Sequence, residues 1–244
     1  MKKLILTLVV CLSVLGAFAQ DAVKLKNDGN AALKAKDYKS AIVHLENYLR
    51  TPEASEDIKT VYNVGYAAYK VKDYAKSVIY FDKAIAAKYK LSSSYLRKAT
   101  SQKKLKKYDD MVATLKAGIA AVPAKNAKLA KTLAKHYLLT GQAAQKASKF
   151  EEAENLYKEA SEVKSSMKTD AIVSLGSLYF GEGAKIQAAA NPFANTDKDK
   201  FASEIAKAKS FYTKAAAQYT KAKTLSPARE DIDSLLTKVK DVLK

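Results

Sequence analysis

Four polar residues in the first hundred positions have the types and spacing of an anion-binding site. Lys26 and Asn30 are four residues apart, so they share one face if this segment is helical. Asn63 follows in the next segment, and Arg97 lies a further 34 residues along the chain. Lysine and arginine give charge-assisted hydrogen bonds, and asparagine adds neutral donors beside them. These four residues are therefore predicted to form a peptide- or anion-binding site.

Three tyrosines stand next to this set. Tyr62, Tyr66 and Tyr69 are separated by four and three residues, the spacing of one helix face. Tyrosine offers a large apolar area with a polar tip, which suits an interface. We predict that the three rings face the same groove as the polar set. The alternative for one of them is packing between neighbouring helices.

Residue patterns for catalysis or metal binding are weak. The two histidines, His44 and His136, lie far apart and in no metal-binding motif. The single cysteine, Cys11, falls in an apolar segment near the start of the chain. Acidic pairs such as Asp109-Asp110 stand at expected helix starts, where they favour the helix dipole. We therefore expect no enzyme activity, no metal site and no cofactor.

A lysine-rich turn recurs along the chain and indicates how these residues are positioned. The segment "KAKDYKSAI" at Lys34–Ile42 returns as "KVKDYAKSV" at Lys70–Val78, and looser copies begin at Lys104 and Lys146. Each copy has a small residue nine positions before its aromatic residue, and apolar residues follow at helical spacing. The pattern predicts an all-α chain of helix–turn–helix pairs, with the aromatic residue of each turn packed in the core.

This repeat resembles the tetratricopeptide repeat, and "NVGYAAYKVKDYAKSVIYFDKAI" at Asn63–Ile85 is similar to its pattern. The resemblance implies a right-handed α-solenoid of about five units, near 22–55, 58–90, 92–124, 126–165 and 169–227, with a groove lined by the first helix of each pair. The first three repeats resemble the two-carboxylate clamp of tetratricopeptide co-chaperones. Four of its five positions match, at Lys26, Asn30, Asn63 and Arg97, and Ser93 stands where that family has lysine.

The end of the chain departs from the repeat. An insertion of about 27 residues, near 181–209, is expected to form two extended helices around a loop at 191–196, either a protruding hairpin or a lengthened last pair. Residues 228–244 have an apolar stripe and are predicted to form a capping helix, with Ser226 capping its start and Pro227 in its first turn.

The first 19 residues have the pattern of a secretory signal peptide. Two lysines precede an apolar stretch, and Ala17-Phe18-Ala19 provides small residues at a cleavage site. The ending "AFAQ" resembles leaders of Bacteroidota. We expect export to the periplasm, with a position peripheral to the outer membrane as one possibility, and no transmembrane segment after cleavage.

The charge of the chain limits its partners. The formal net charge is +18, but only three basic residues are arginines. Arginine supplies most bidentate contacts to nucleic acids, so no nucleic-acid binding is expected. The leading hypothesis is a non-catalytic scaffold that holds a protein or peptide segment in its groove. The alternative is a structural subunit of an envelope assembly or secretion complex that uses the inserted hairpin. Weak contact with an anionic envelope surface is a third hypothesis.

Overall fold

The computed structural model describes residues 21–54 and 56–244, and this part of the chain is helical without a β-strand. The helices are α1 (21–34), α2 (Tyr38–Tyr48), α3 (Ile58–Lys70), α4 (Tyr74–Ala86), α5 (Leu91–Lys104), α6 (Tyr108–Ala121), α7 (Ala127–Lys146), α8 (Phe150–Glu162), α9 (Lys168–Ala190), α10 (Lys198–Leu225) and α11 (Glu230–Leu243). The predicted all-α solenoid of helix–turn–helix pairs is confirmed. The predicted signal peptide, residues 1–19, lies outside the described residues.

The helices that the structure describes include none that is long and apolar enough to cross a membrane.

The chain divides into two compact units, residues 1–129 and 130–244. Helices α1 to α6 belong to the first unit, and α8 to α11 belong to the second, while α7 begins at the end of the first. Within each unit, helices that are consecutive in the chain pack against one another. This local packing is expected for stacked repeats, in which each repeat buries its apolar face on its neighbour.

The recurring turn has one geometry in the first four pairs. After α1, the amide of Lys36 donates to Leu33 O and the amide of Asp37 donates to Ala32 O, and the same two bonds recur after α3, α5 and α7. This pattern closes a helix through a residue in the left-handed region. Asp37 and Asp73 then cap the following helices by accepting the amides of Ser40 and Lys76. The repeated lysine-rich sequence therefore encodes a repeated three-residue turn.

The aromatic residue after each turn is less buried than predicted. The ring of Tyr108 is 45% exposed, and Tyr38, Tyr74 and Phe150 are only half-buried. The core instead comes from the residues seven positions further along, which are fully buried: Leu45, Phe81, Leu115 and Tyr157. About two helical turns separate the mouth of each hairpin from its centre, and only the centre is covered on all sides.

Small residues on the first helix of a pair receive large residues of the second. A Cβ atom added to Gly29 would lie 2.4 Å from Leu45 Cδ2, and one added to Gly141 would lie 2.8 Å from Tyr157 Cε1. Distances this short leave no room for a methyl group, so glycine permits the close approach of the two helices. The spacing of small and large residues in the repeat therefore determines how the two helices of each pair pack.

The last pair is lengthened through the insertion. Helix α9 has 23 residues and α10 has 28, and they pack along each other, joined by a short 3-10 turn at Asn191–Phe193. Tyr212 and Tyr219 of α10 are buried against Gly183 and Gly176 of α9, which continues the small-to-large pairing into the inserted residues. Of the two forms considered for the insertion, the lengthened pair is the one observed.

The final helix covers the apolar face of the last pair, but its start differs from the prediction. Helix α11 begins at Glu230, with Arg229 as its N-cap residue, and the Ser226 hydroxyl pairs instead with Thr169 at 3.0 Å. The guanidinium group of Arg229 bridges Asp170 and Asp231 at 2.6 Å each, which fixes α11 to α9. This interaction between helices replaces the local serine cap. Ile232 and Val239 are fully buried beneath the helix.

Candidate functional site

Helix α3 carries the three predicted tyrosines, and the structure separates them by burial. Tyr62 is 8% exposed and packs edge-on against Phe81 and Tyr89, with ring centroids 5.4 and 5.6 Å away. Tyr66 and Tyr69 are only partly buried. Packing between helices, the alternative considered for one ring, therefore applies to Tyr62. The other two rings remain available at the surface of the first unit.

Arg97 of α5 is held against this tyrosine face. Its Nε donates to the hydroxyl of Tyr62 at 3.2 Å, and its guanidinium carbon lies 4.6 Å from the centre of the Tyr66 ring. These contacts use one edge and one face of a planar group that has five donors. Within residues 21–54 and 56–244, no hydrogen bond is found for its two terminal nitrogens. Arg97 is therefore oriented by the fold and retains the fork that binds an oxyanion.

A pocket of about 520 Å³ opens at Arg97, on the side of α5 that faces α3 and the start of α7. Most of the lining side chains carry a hydroxyl group or a positive charge, although apolar atoms supply the larger part of the pocket surface: Tyr69, Ser92, Ser93, Leu96, Arg97, Thr100, Lys125, Ala127 and Lys128. The hydroxyls of Ser92 and Thr100 donate to backbone carbonyls, which leaves Ser93 and Tyr69 as the hydroxyl groups without such a bond in the described residues. The pocket can therefore take an acidic group together with a short apolar segment.

Lys26 lies apart from this pocket and is engaged within the chain. Its ammonium group pairs with Asp57 at 2.8 Å and lies 5.1 Å from the centre of the Tyr48 ring. Partial burial alone would raise the pKa of Asp57, but the hydrogen bonds from Lys26 and Thr60 outweigh it and lower the pKa to about 2. Because Asp57 also caps α3, Lys26 links the first repeat to the second.

The two predicted asparagines are at neither end of a described hydrogen bond. Asn30 is exposed on α1, and Asn63 is half-buried on α3 beside Tyr62. The structure thus brings Arg97 and Tyr69 together at one pocket and places Tyr66 beside Arg97, whereas Lys26 and Asn30 lie on another helix. Whether this set binds a ligand stays a prediction.

The pocket also contains residues that the sequence reasoning missed. Lys125 and Lys128 come from the connection before α7 and from its first turn. The spacing of the small repeat residues could have indicated them. The interval from Ala99 to Gly141 is 42 residues, whereas the preceding interval, from Gly65 to Ala99, is 34. The longer interval corresponds to the 20-residue length of α7, whose first turn reaches the pocket.

The second unit has a smaller pocket of about 220 Å³. It is lined by Gln145, Ser148, Phe150, Leu178, Gly181, Glu182 and Lys185. A Cβ atom added to Gly181 would meet nothing within 4 Å, so the backbone of α9 is open there. Lys185 and Glu182 pair at 3.4 Å across its rim. This pocket has balanced charge and an apolar wall, in contrast to the cationic pocket of the first unit.

The described residues contain no group of three or more histidine, cysteine, aspartate or glutamate side chains that could hold a metal ion.

Comparison with solved structures shows the family. A tetratricopeptide repeats protein from Bacteroides fragilis is 40% identical over 90% of this chain and 98% of its own, with a TM-score of 0.84. A tetratricopeptide repeat protein from Parabacteroides merdae is 15% identical with a TM-score of 0.44, covering 91% of this chain and 99% of its own. The TPR2AB domain of yeast Sti1, solved as a complex with pHSP90, is 17% identical with a TM-score of 0.38, covering 91% of this chain and 99% of its own.

No protein-family model matches the chain, and no curated protein matches it. The family therefore rests on the first of these structures, which is similar in sequence and in fold over nearly the whole chain. The helix pairs, their recurring turn and the small-to-large packing of the first and second helices agree with this relationship. This chain belongs to the tetratricopeptide repeat proteins.

Proposed function

We propose that the protein is a non-catalytic scaffold that binds an extended, acidic protein segment along the first helices of its first unit. The segment would lie across Tyr66 and place an acidic side chain, or its free carboxylate, in the pocket at Arg97. Tyr69 and Leu96 would contact the apolar residues next to it. Side chains of alternating chemistry in an extended peptide suit a pocket with one cationic wall and one apolar wall.

The orientation of Arg97 is the observation that carries this proposal. A surface arginine loses side-chain entropy when it binds a ligand, which reduces the net free energy of binding. Here Tyr62 and Tyr66 fix the guanidinium group before any ligand arrives. The same two contacts leave its terminal nitrogens at the pocket.

The location proposed for this function is the periplasm, after removal of residues 1–19. The support is the pattern of the first 19 residues, with its lysines, apolar stretch and Ala-Phe-Ala ending. A partner would then be a protein of the bacterial envelope.

A peptide titration tests the proposal. The probe is a fluorescein-labelled ten-residue peptide of glutamate, serine and leucine, and fluorescence anisotropy measures its Kd for the chain from Gln20. Arg97→Gln should raise the Kd by about 10-fold to 100-fold, as for loss of a hydrogen bond to a charged group. The control is Arg50→Gln, since Arg50 is exposed, does not line the pocket and donates to Asn47 at 3.1 Å. Equal Kd values for the two variants would refute the role of Arg97.

A second candidate function rests on the pocket at Gly181. In this alternative, the lengthened α9–α10 pair would join the protein to other subunits of an envelope assembly or secretion complex. The open backbone at Gly181 and the apolar wall formed by Phe150 and Leu178 support it. Deletion of residues 192–199 would then abolish co-purification with the complex, whereas Arg97→Gln would leave it unchanged. The opposite result would support the groove.

A further inference from the structure

The left-handed turn positions of this protein are occupied by lysine. Five lysines have positive φ angles: Lys36 (63°), Lys72 (66°), Lys88 (54°), Lys90 (43°) and Lys106 (60°). Among the other described residues, Ser148 is the one non-glycine residue with a positive φ. None of the described glycines has a positive φ. Glycine adopts this conformation without steric cost, whereas lysine has a Cβ atom that opposes it. Lysine at these turns therefore needs another explanation than backbone geometry.

Three of these lysines occupy the same place in consecutive repeats. Lys36, Lys72 and Lys106 each follow the first helix of a pair, and each amide donates to the residue three positions before it. Because the three turns share one geometry, these side chains leave the same edge of the first unit. We call this edge, with Leu105 and Tyr108 of the third turn, the turn edge.

The turn edge carries an excess of positive charge. None of Lys36, Lys72 and Lys106 has an ion pair among the residues that the structure describes, and further lysines lie within three residues of each turn: Lys34, Lys39, Lys70, Lys103, Lys104 and Lys107. Lys76 is also near a turn, but it pairs with Glu46 at 2.9 Å. The acids nearby are fewer. Asp37 and Asp73 accept backbone amides as helix caps, and Asp109 and Asp110 stand in the first turn of α6.

Two exposed apolar side chains on the turn edge favour a bilayer over a soluble polyanion as its partner. Leu105 is 37% exposed and Tyr108 is 45% exposed, and they stand among Lys104, Lys106 and Lys107. A soluble polyanion would contact the ammonium groups alone. The interface of a bilayer has anionic headgroups above an apolar layer, and it favours lysine beside leucine and tyrosine.

We propose that the turn edge docks the first unit on the surface of a bilayer that contains anionic phospholipid. Lys36, Lys72 and Lys106 contact the headgroups, and Leu105 and Tyr108 enter the interface. The attraction is electrostatic, so binding weakens as added salt shortens the Debye length from about 10 Å at 0.1 M to about 3 Å at 1 M. None of the five turn-edge residues lines the peptide pocket, so this docking does not depend on the pocket.

Co-sedimentation with vesicles tests the proposal, using the chain from Gln20, which contains every described helix. The vesicles are pure phosphatidylcholine, or phosphatidylcholine with about one-third phosphatidylglycerol, at about 0.1 M salt. The parent chain should bind only the anionic vesicles. The triple variant Lys36→Gly, Lys72→Gly, Lys106→Gly should bind them about 100-fold more weakly, since each lysine near the surface contributes about fivefold. Its thermal midpoint should be no lower than that of the parent, because glycine suits each turn.

Two further variants make the result specific. The control Lys59→Gln, Lys83→Gln, Lys88→Gly removes three charges from the opposite ends of the helices and should keep the parental affinity. An equal loss in this control would show attraction by net charge alone and overturn the proposal. Leu105→Ser with Tyr108→Ser should also weaken vesicle binding. If that variant binds as the parent does, and dextran sulfate competes with the vesicles, the edge binds soluble polyanions and not a bilayer.

Discussion

The two units use their tyrosines differently. In the second unit, Tyr157, Tyr179, Tyr212 and Tyr219 are at most 5% exposed, and each hydroxyl contacts a polar side chain of the same unit. In the first unit, Tyr66 and Tyr69 are only partly buried, and Lys70 and Arg97 lie over the Tyr66 ring. These four tyrosines of the second unit thus belong to its core, whereas the first unit has core tyrosines, Tyr48 and Tyr62, and in addition the more accessible Tyr66 and Tyr69.

This contrast separates stability from binding within one repeat family. A buried tyrosine whose hydroxyl is satisfied contributes to the free energy of unfolding. A partly buried tyrosine that orients an arginine contributes little to that quantity and more to the affinity for a ligand. The comparison predicts that substituting a buried tyrosine of the second unit lowers the free energy of unfolding, whereas substituting Tyr66 or Tyr69 mainly lowers the affinity for a ligand.

The largest effect is expected for Tyr219→Ala, which should lower the free energy of unfolding by about 4 kcal/mol. Tyr219 is 1% exposed and fills the space against Gly176. Tyr69→Ala, the matched change in the first unit, should cost less than about 1 kcal/mol. Urea denaturation of both variants measures the difference. Similar losses would remove the distinction between the two units.

The next effect compares two glycines of α9. Gly176→Ala should cost about 2 kcal/mol, because the new Cβ atom would lie 2.6 Å from Tyr219 Cε1. Gly181→Ala should instead stabilise the protein by about 1 kcal/mol, since its surroundings are open and alanine favours a helix. Thermal denaturation of the two variants gives the signs. Destabilisation by Gly181→Ala would mean that this stretch of α9 is packed.

A smaller effect concerns the pair of Asp57 and Lys26. Because the pKa of Asp57 is lowered from 3.8 to about 2, this carboxylate stabilises the fold above its ordinary pKa, and the contribution disappears as pH falls from about 4 to 2. Asp57→Asn keeps a capping side chain and should cost about 1 kcal/mol at neutral pH, reduced for partial solvent exposure. Urea denaturation near neutral pH and near pH 2 should show that the deficit shrinks at the lower pH. A constant deficit would assign the effect to the cap.

The smallest effect is expected at the turns, where the two units agree. Lys72→Gly in the first unit and Ser148→Gly in the second should each stabilise the protein by about 0.5 kcal/mol, because glycine relieves a left-handed residue but loosens the unfolded chain. Their thermal midpoints should rise together. A rise in only one unit would show that the turns differ in more than residue type.

The sequence determined the architecture well because the repeat is local. Turn, small residue and large residue recur at fixed spacing, and each acts within one helix pair, as Gly29 with Leu45 shows. The predicted burial of Tyr108 is wrong because the pattern shows which residues recur and not how deeply each is covered. The predicted start of α11 at Ser226 is wrong because Arg229 contacts Asp170, 59 residues away in the sequence. Local capping preferences cannot predict a contact over that distance.

The candidate site was predicted in part. Arg97 and Tyr69 follow from the repeat register, since equivalent positions on the first helices face one side. The engagement of Lys26 by Asp57 could not be read from the pattern, because the partner lies in the next repeat and depends on how the two pairs pack. Lys125 and Lys128 were missed because α7 is longer than the repeat predicts.

Crosslinked capture from a bacterial envelope extract tests the central claim most directly, with the chain from Gln20 compared with its Arg97→Gln and Lys26→Ala variants. The account predicts that a partner protein is captured by the parent and by Lys26→Ala, because Lys26 is engaged with Asp57. The same partner should be lost with Arg97→Gln. Retention of that partner by Arg97→Gln would contradict the account and move the binding surface away from the Arg97 pocket.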